Sequence, residues 1–233
     1  ADGTAYLVME LLEGESLREC IDREGAVSLD RALAILGEVG AALAAAHAGG
    51  VVHRDLKPDN IFLSRRDDGV VVAKVLDFGI AKVLGEGSRL TRTEVVLGTP
   101  HYIAPEQAAG QPVDHRADVY ALGVIMYHLL TGKVPFDADT LMGIVHQHLY
   151  EPPGPLELAG DHEGLSDAQD VVHRAMGKKR EDRYQSMSEL VEDLERLAAR
   201  KKPRASSASL PGVGRPHVPQ AGAAAVGRDS SED

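Results

Sequence analysis

Two short stretches of this chain hold residues whose types and spacing suit phosphate chemistry. The first reads His53-Arg-Asp-Leu-Lys-Pro-Asp-Asn60, and the second, twenty-two residues after Asp55, reads Asp77-Phe-Gly79. Asp55 and Asp77 offer carboxylates and Asn60 an amide oxygen, the hard donors that Mg²⁺ takes when it also binds phosphate. Lys57, two residues from Asp55, can neutralise a phosphoryl group while the carboxylate orients a hydroxyl. Either triplet alone, HRD or DFG, carries little information. Both together, in this order, one on a loop and one at a strand end, are far more specific.

The elements that must position these residues can be read from hydrophobic pattern and caps. Tyr6-Leu-Val-Met-Glu-Leu11 reads as a buried strand. Ser16-x-x-Glu19 is a capping box opening a short helix that Gly25 can stop. Ser28 caps a longer helix with Leu29, Leu33, Leu36 and Leu43 on one stripe, ended by Gly49-Gly50 just before the His53 loop. Ile61-Phe-Leu63 and Val70 to Leu76 are β-branched-rich strands around the turn residues Asp67-Asp68-Gly69. From Gly79 to Pro112 the pattern is irregular, a length usually reserved for functional or disordered loops. Asp118 to Leu130 is apolar nearly all round and is expected in the middle of the core. Ser166-x-x-Gln169 and Ser186-x-x-Glu189 begin two further helices. After Lys202 the chain turns to Pro, Ala, Gly and Ser, too poor in apolar surface to offset its ordering entropy.

Composition narrows the classes. The formal net charge of -11 argues against a nucleic-acid-binding surface, and the acidic excess is spread along the chain as on a soluble surface. A single cysteine, Cys20, excludes an internal disulfide and a cysteine-rich zinc site and reads as a small core hydrophobe. No stretch of about 18 apolar residues is present to span a bilayer. A cytoplasmic setting is expected, with any membrane anchor lying beyond residue 233. His146 and His148, at i and i+2, point apart on a helix and do not suggest a metal site. Lys178 to Arg180 reads as a solvated helix end.

The two stretches together resemble those of the eukaryotic-like (Hanks-type) protein kinases, specifically the bacterial serine/threonine kinases. The resemblance extends through Gly98-Thr-Pro-His-Tyr-Ile-Ala-Pro-Glu106, Asp118-Val-Tyr-Ala-Leu-Gly123 and Arg183, over about residues 5–200. It implies ATP and Mg as cofactors, and protein substrates with Ser/Thr acceptors. By the same resemblance Asp55 is the base, Lys57 the γ-phosphate contact that favours Ser/Thr over Tyr, and Asn60 and Asp77 the metal ligands. Met9 falls at the gatekeeper, Glu10 and Leu12 at the hinge that meets adenine, and Phe62 at the floor below it. Thr99 resembles the groove residue that bonds Asp55 and Lys57. Thr91 and Thr93 resemble autophosphorylation sites that would pair with Arg54, with self-association bringing two copies together. Glu106 and Arg183 resemble a buried ion pair, Asp118 a helix-capping carboxylate that fixes the catalytic-loop backbone, and His53 a packed core histidine.

The implied fold is mainly α, within the α+β family: a protein-kinase-like C-lobe, a helical bundle with short β-strands at the active-site face. Residues 1–200 form it, and 201–233 are expected as a disordered tail or linker. No glycine-rich phosphate loop precedes residue 6. The chain is therefore expected to be a fragment lacking the N-terminal lobe, and inactive alone. A non-catalytic binding or regulatory lobe is the alternative. A small-molecule phosphotransferase is disfavoured, because that class lacks a DFG followed by a GTP-x-Y-x-APE segment.

Overall fold

Local signals start most of the elements in the structure, a computed structural model that describes residues 9–78, 100–156 and 164–204. Helix α1 (Leu17–Glu24) opens on the reciprocal box: Ser16 Oγ accepts from the Glu19 N–H at 3.2 Å, and the Glu19 carboxylate accepts from the Ser16 N–H at 2.8 Å. Helix α2 (Leu29–Ala48) is capped by Ser28 and stops at Gly49. Strands β1 (Gly14–Ser16), β2 (Ile61–Arg65) and β3 (Val71–Val75) form an antiparallel sheet in the order β1-β2-β3. Ile61 pairs with Val75 and Arg65 with Val71 across the turn at Arg66–Gly69.

The expected strand Tyr6–Leu11 is corrected in its described part. Met9 to Leu11 are not strand, and Met9 is 71% and Leu11 91% exposed. Their apolar faces have no cover among the described residues; Tyr6 to Val8 lie outside these. Pairing begins instead at Gly14, in a strand with no hydrophobic pattern to announce it. Its φ of 145° and its closeness to β2 admit only glycine, since a Cβ would fall 2.0 Å from the Leu63 carbonyl oxygen.

Helices α3 (Pro105–Ala108), α4 (Arg116–Thr131), α5 (Leu141–Tyr150), α6 (Leu165–Ala175) and α7 (Met187–Ala198) complete the bundle. Thirteen of the sixteen α4 residues are buried, which puts this helix at the centre, against α2 and α6. Fully buried side chains such as Leu122, Ile125 and Leu129 each contribute roughly 1.5–3 kcal/mol of burial free energy. At Gly123 a Cβ would lie 2.7 Å from that of Ala175, so glycine sets how closely α4 and α6 approach. Cys20 belongs to this core, with no exposure.

Four sequence expectations change in detail. Ser166 does not cap α6; the cap is two residues earlier, at Gly164 (φ 87°), and the Gln169 side chain accepts from the Leu156 N–H. Ser186 does cap α7, but the Glu189 carboxylate reaches the Gln185 N–H and not that of Ser186. Packing continues past residue 200: Pro203 is buried and the Arg204 N–H donates to Asp193 Oδ1 at 2.6 Å. The carboxylates of α7 supply the acceptors that hold it. The remaining tail, from 205, lies outside the described residues.

Lys178 is the fourth. It is not a solvated helix end: its Nζ donates to the carbonyls of Gln147 (3.1 Å) and His148 (2.8 Å) and stands 4.3 Å from the Phe136 ring centroid. A cation closing the C-terminal end of α5 suits the helix dipole. Burial, and then the Arg183 cation, push its pKa down to about 7 from an ordinary 10.5. Between those values the unfolded chain holds a proton that the folded chain has released, so stability rises with pH across that window and is flat below it. Urea midpoints at pH 7 and pH 9.5 should therefore rise in the wild type and stay level in Lys178→Met. Equal slopes in both would remove Lys178 as the cause.

Candidate active site

The His53–Asn60 loop hangs from the central helix. Asp118, buried in the first turn of α4, accepts from the His53 N–H at 2.8 Å and from the Arg54 N–H at 2.9 Å, and meets His47 Nε2 at 2.7 Å. The N-cap of α4 is His115, so the Asp118 carboxylate serves the loop and not its own helix. Arg54 needs such support, because its φ is 64°. A non-glycine residue there costs on the order of 1–3 kcal/mol.

His53 joins the two chemical segments. Its Nδ1 accepts from the Asp55 N–H at 3.3 Å, so Nε2 carries the proton and donates to the Leu76 carbonyl at 2.9 Å. The ring has no exposure and stacks obliquely against Phe78, centroids 5.1 Å apart. A neutral bracket of this kind sets the Asp55 loop beside the Asp77 segment. Asn60 makes a second link: its Nδ2 donates to the Asp55 carbonyl at 2.8 Å, and its own carbonyl accepts from the Leu76 N–H at 2.8 Å. With Nδ2 so engaged, Oδ1 is the side-chain atom suited to a cation. Asp77 follows at φ 50°, exposed, one residue beyond the anchored Leu76. An amide oxygen and a carboxylate on adjacent segments fit Mg²⁺, which prefers few protein oxygens alongside phosphate.

The Asp55 side chain is 45% exposed, and Lys57 Nζ lies 3.6 Å from its Oδ2. Behind the loop, Gln107 Nε2 donates to the Arg54 carbonyl at 2.7 Å while Gln107 Oε1 accepts from the Ala104 N–H at 3.1 Å. Glu106 beside it forms a bidentate pair with Arg183, at 2.9 and 2.7 Å, both side chains buried. Asp118, Glu106 and Arg183 are thus parts of one scaffold under the loop.

The residues expected to meet the nucleotide are less tightly gathered. Phe62 is half-buried on β2, Met9 is exposed and Leu12 half-exposed. The Glu10 carboxylate pairs with Lys74 Nζ on β3, with both oxygens at 2.7 Å. Thr91, Thr93 and Thr99 lie outside the described residues. His146 and His148 diverge as expected: His148 is buried with Nδ1 2.9 Å from the Tyr120 hydroxyl, and His146 is exposed. Burial, with Lys178 adding to it, pushes the His148 pKa down to about 3. Sequence reading passed over His47, Gln107 and Arg18; each acts on a partner more than fifty residues away, and only Gln107, next to Glu106, carried a local hint.

A helical bundle with a small antiparallel sheet, carrying a carboxylate and lysine loop beside a second carboxylate segment, defines a protein kinase domain. The chain belongs to that family: the protein kinase domain model matches residues 1–194. It is similar to the serine/threonine-protein kinase PknB of Mycobacterium tuberculosis, 41% identical over 202 residues, covering 86% of this chain and 31% of the relative. It is also similar to Pkn1 of Myxococcus xanthus, 46% identical over 184 residues (78% and 26%). A probable PknB of Corynebacterium glutamicum is 40% identical over 225 residues (94% and 34%). The chain thus spans about a third of the length of the curated relatives it matches. Among the described residues no helix is long and apolar enough to cross a membrane.

Proposed function

We propose that this chain supplies the base, the lysine and the metal ligands of a bacterial serine/threonine protein kinase that uses ATP. Asp55 accepts the proton of a Ser or Thr hydroxyl as its oxygen forms the new bond to the γ-phosphorus and the bond to the β-phosphate oxygen breaks. Lys57 steadies the charge on the transferred group, and Asn60 and Asp77 hold magnesium, which neutralises the phosphates when bound. Glu10 and Leu12 offer backbone groups to adenine above Phe62, with Met9 beside them, and Thr99 closes the acceptor groove. The observation that carries this is Asn60, tied at one end to the Asp55 carbonyl and at the other to the Leu76 N–H, so that base and both metal ligands share one frame. A glycine-rich loop and a lysine for the α/β-phosphates would come from a small lobe.

The test is transfer from labelled ATP with Mg²⁺ to a Ser/Thr peptide library by the protein carrying this domain, followed by phosphoamino-acid analysis. Nucleotide binding without any transfer would favour a non-catalytic lobe. In the active protein, Thr91 and Thr93 should become phosphorylated within an encounter of two copies. A phosphothreonine, with about -1.5 to -2 charges, would pair with Arg54 and order the segment before Thr99. Mass spectrometry should find both sites, and the double Ala variant should lose activity; unmodified sites with full activity would dismiss this switch.

A further inference from the structure

One side-chain network on the acceptor side of the loop is used by none of the roles above. Arg18 of α1 donates from Nη2 to the Tyr102 hydroxyl oxygen at 3.0 Å, and that hydroxyl lies 2.8 Å from His128 Nδ1 in α4. Arginine can only donate, so the phenolic oxygen accepts from it and sends its own proton toward His128. Nδ1 is then the bare nitrogen, and His128, 5% exposed, is neutral. Burial first, and then the Arg18 cation, push the His128 pKa down to about 4, while burial pushes that of Tyr102 up to about 12. The chain of donors therefore keeps one direction throughout the neutral range. The rest of the guanidinium faces two carboxylates: Nε lies 3.8 Å from Asp59 Oδ2 and Nη1 3.7 Å from Asp22 Oδ1.

The placement of these partners gives the network its meaning. Asp59 sits between Lys57 and Asn60, in the single 3-10 turn Pro58–Asn60 that follows the base. Tyr102 ends the 3-10 turn Pro100–Tyr102, which directly follows the groove residue Thr99. One guanidinium therefore spans the turn that presents Lys57 and Asn60 and the segment that would meet the acceptor. Through His128 both are referred to the central helix. Asp59 alone could not do this, since a carboxylate and a phenol held apart have no common donor.

We propose that Arg18 is a positioning residue for the protein acceptor, holding Pro100–Tyr102 at a fixed offset from the Asp59 turn so that the hydroxyl reaches Asp55. This rests on the kinase function proposed above. Asn60 keeps its own ties to the Asp55 carbonyl and the Leu76 N–H, so the loss of Arg18 is expected at acceptor binding and not at ATP.

The experiment compares wild type, Arg18→Met, Arg18→Lys, Tyr102→Phe and the Arg18→Met/Tyr102→Phe pair in the protein carrying this domain. A hydrogen bond from a charged donor predicts that Arg18→Met raises the KM for a peptide acceptor on the order of ten-fold, with the KM for ATP unchanged. Arg18→Lys, which keeps a charge and a donor, should recover part of the loss. The double variant should be no worse than either single one. Hydrogen exchange gives a readout that needs no activity: amides of residues 101–104 should exchange faster in Arg18→Met, and those of 53–57 should not. Equal rises in both KM values, additive single effects, or unchanged exchange at 101–104 would overturn the proposal. If wild type transfers no phosphate, the kinase function fails, and the exchange result still decides whether Arg18 holds this segment.

Discussion

Asp55→Asn should lower phosphoryl transfer by about 10²–10⁴-fold, the usual worth of a positioned general base, while nucleotide still binds with Mg²⁺. The substitution is nearly isosteric and removes the capacity to take a proton, together with the charge that faces Lys57. It also spares the scaffold, because Asn60 is anchored to the Asp55 backbone carbonyl and not to its carboxylate. The His53 bracket likewise reaches the Asp55 N–H. Asp77→Ala should behave differently: with one of two metal ligands gone, Mg²⁺-dependent nucleotide affinity falls together with turnover. Steady-state kinetics and a nucleotide titration with and without Mg²⁺ separate the two. Near-normal turnover in Asp55→Asn would exclude it as the base.

The largest effect on stability is expected at the buried ion pair. Arg183 donates to Glu106 through two nitrogens and also to the carbonyls of Gly177 (2.6 Å), Arg116 (3.0 Å) and Lys178 (3.2 Å). Its guanidinium further lies 4.9 Å from the Tyr120 ring centroid. Glu106→Ala strands this cation away from water, a change that costs about 3–5 kcal/mol. Domains hold only about 5–15 kcal/mol in all, so much of the folded population is at risk. Replacing both partners with apolar residues of similar volume, as in Glu106→Leu/Arg183→Met, should cost less than Glu106→Ala alone, because no charge is left buried. Denaturant unfolding of the three proteins checks the order. A loss below about 1 kcal/mol in Glu106→Ala would show that Arg183 finds other company. Since Gln107, the next residue, holds the Arg54 carbonyl, the damaged variant should also loosen the catalytic loop.

The amino-acid sequence alone determined those features whose cause is local. Asp55, Lys57 and Asn60 lie within six residues of one another, with Asp77 twenty-two beyond Asp55, so a donor set suited to phosphate chemistry is legible in the sequence as an expectation. The same holds for α1 and α2, whose caps Ser16 and Ser28 act on amides three residues away, and for α4, whose apolar circumference can only be buried. Tertiary structure decided everything that depends on a partner far along the chain. Asp118 meets His53 across 65 residues, Glu106 meets Arg183 across 77, and Arg18 meets Tyr102 across 84. For the first two, family resemblance supplied the pairing; for Arg18 there was nothing to supply it. Lys178 looked like an exposed basic run because its neutralising partners are backbone carbonyls of α5, which no side-chain pattern encodes. Strand β1 was missed for a related reason: Gly14-Glu15-Ser16 is extended by hydrogen bonds to β2, and those bonds are made by backbone that every residue carries.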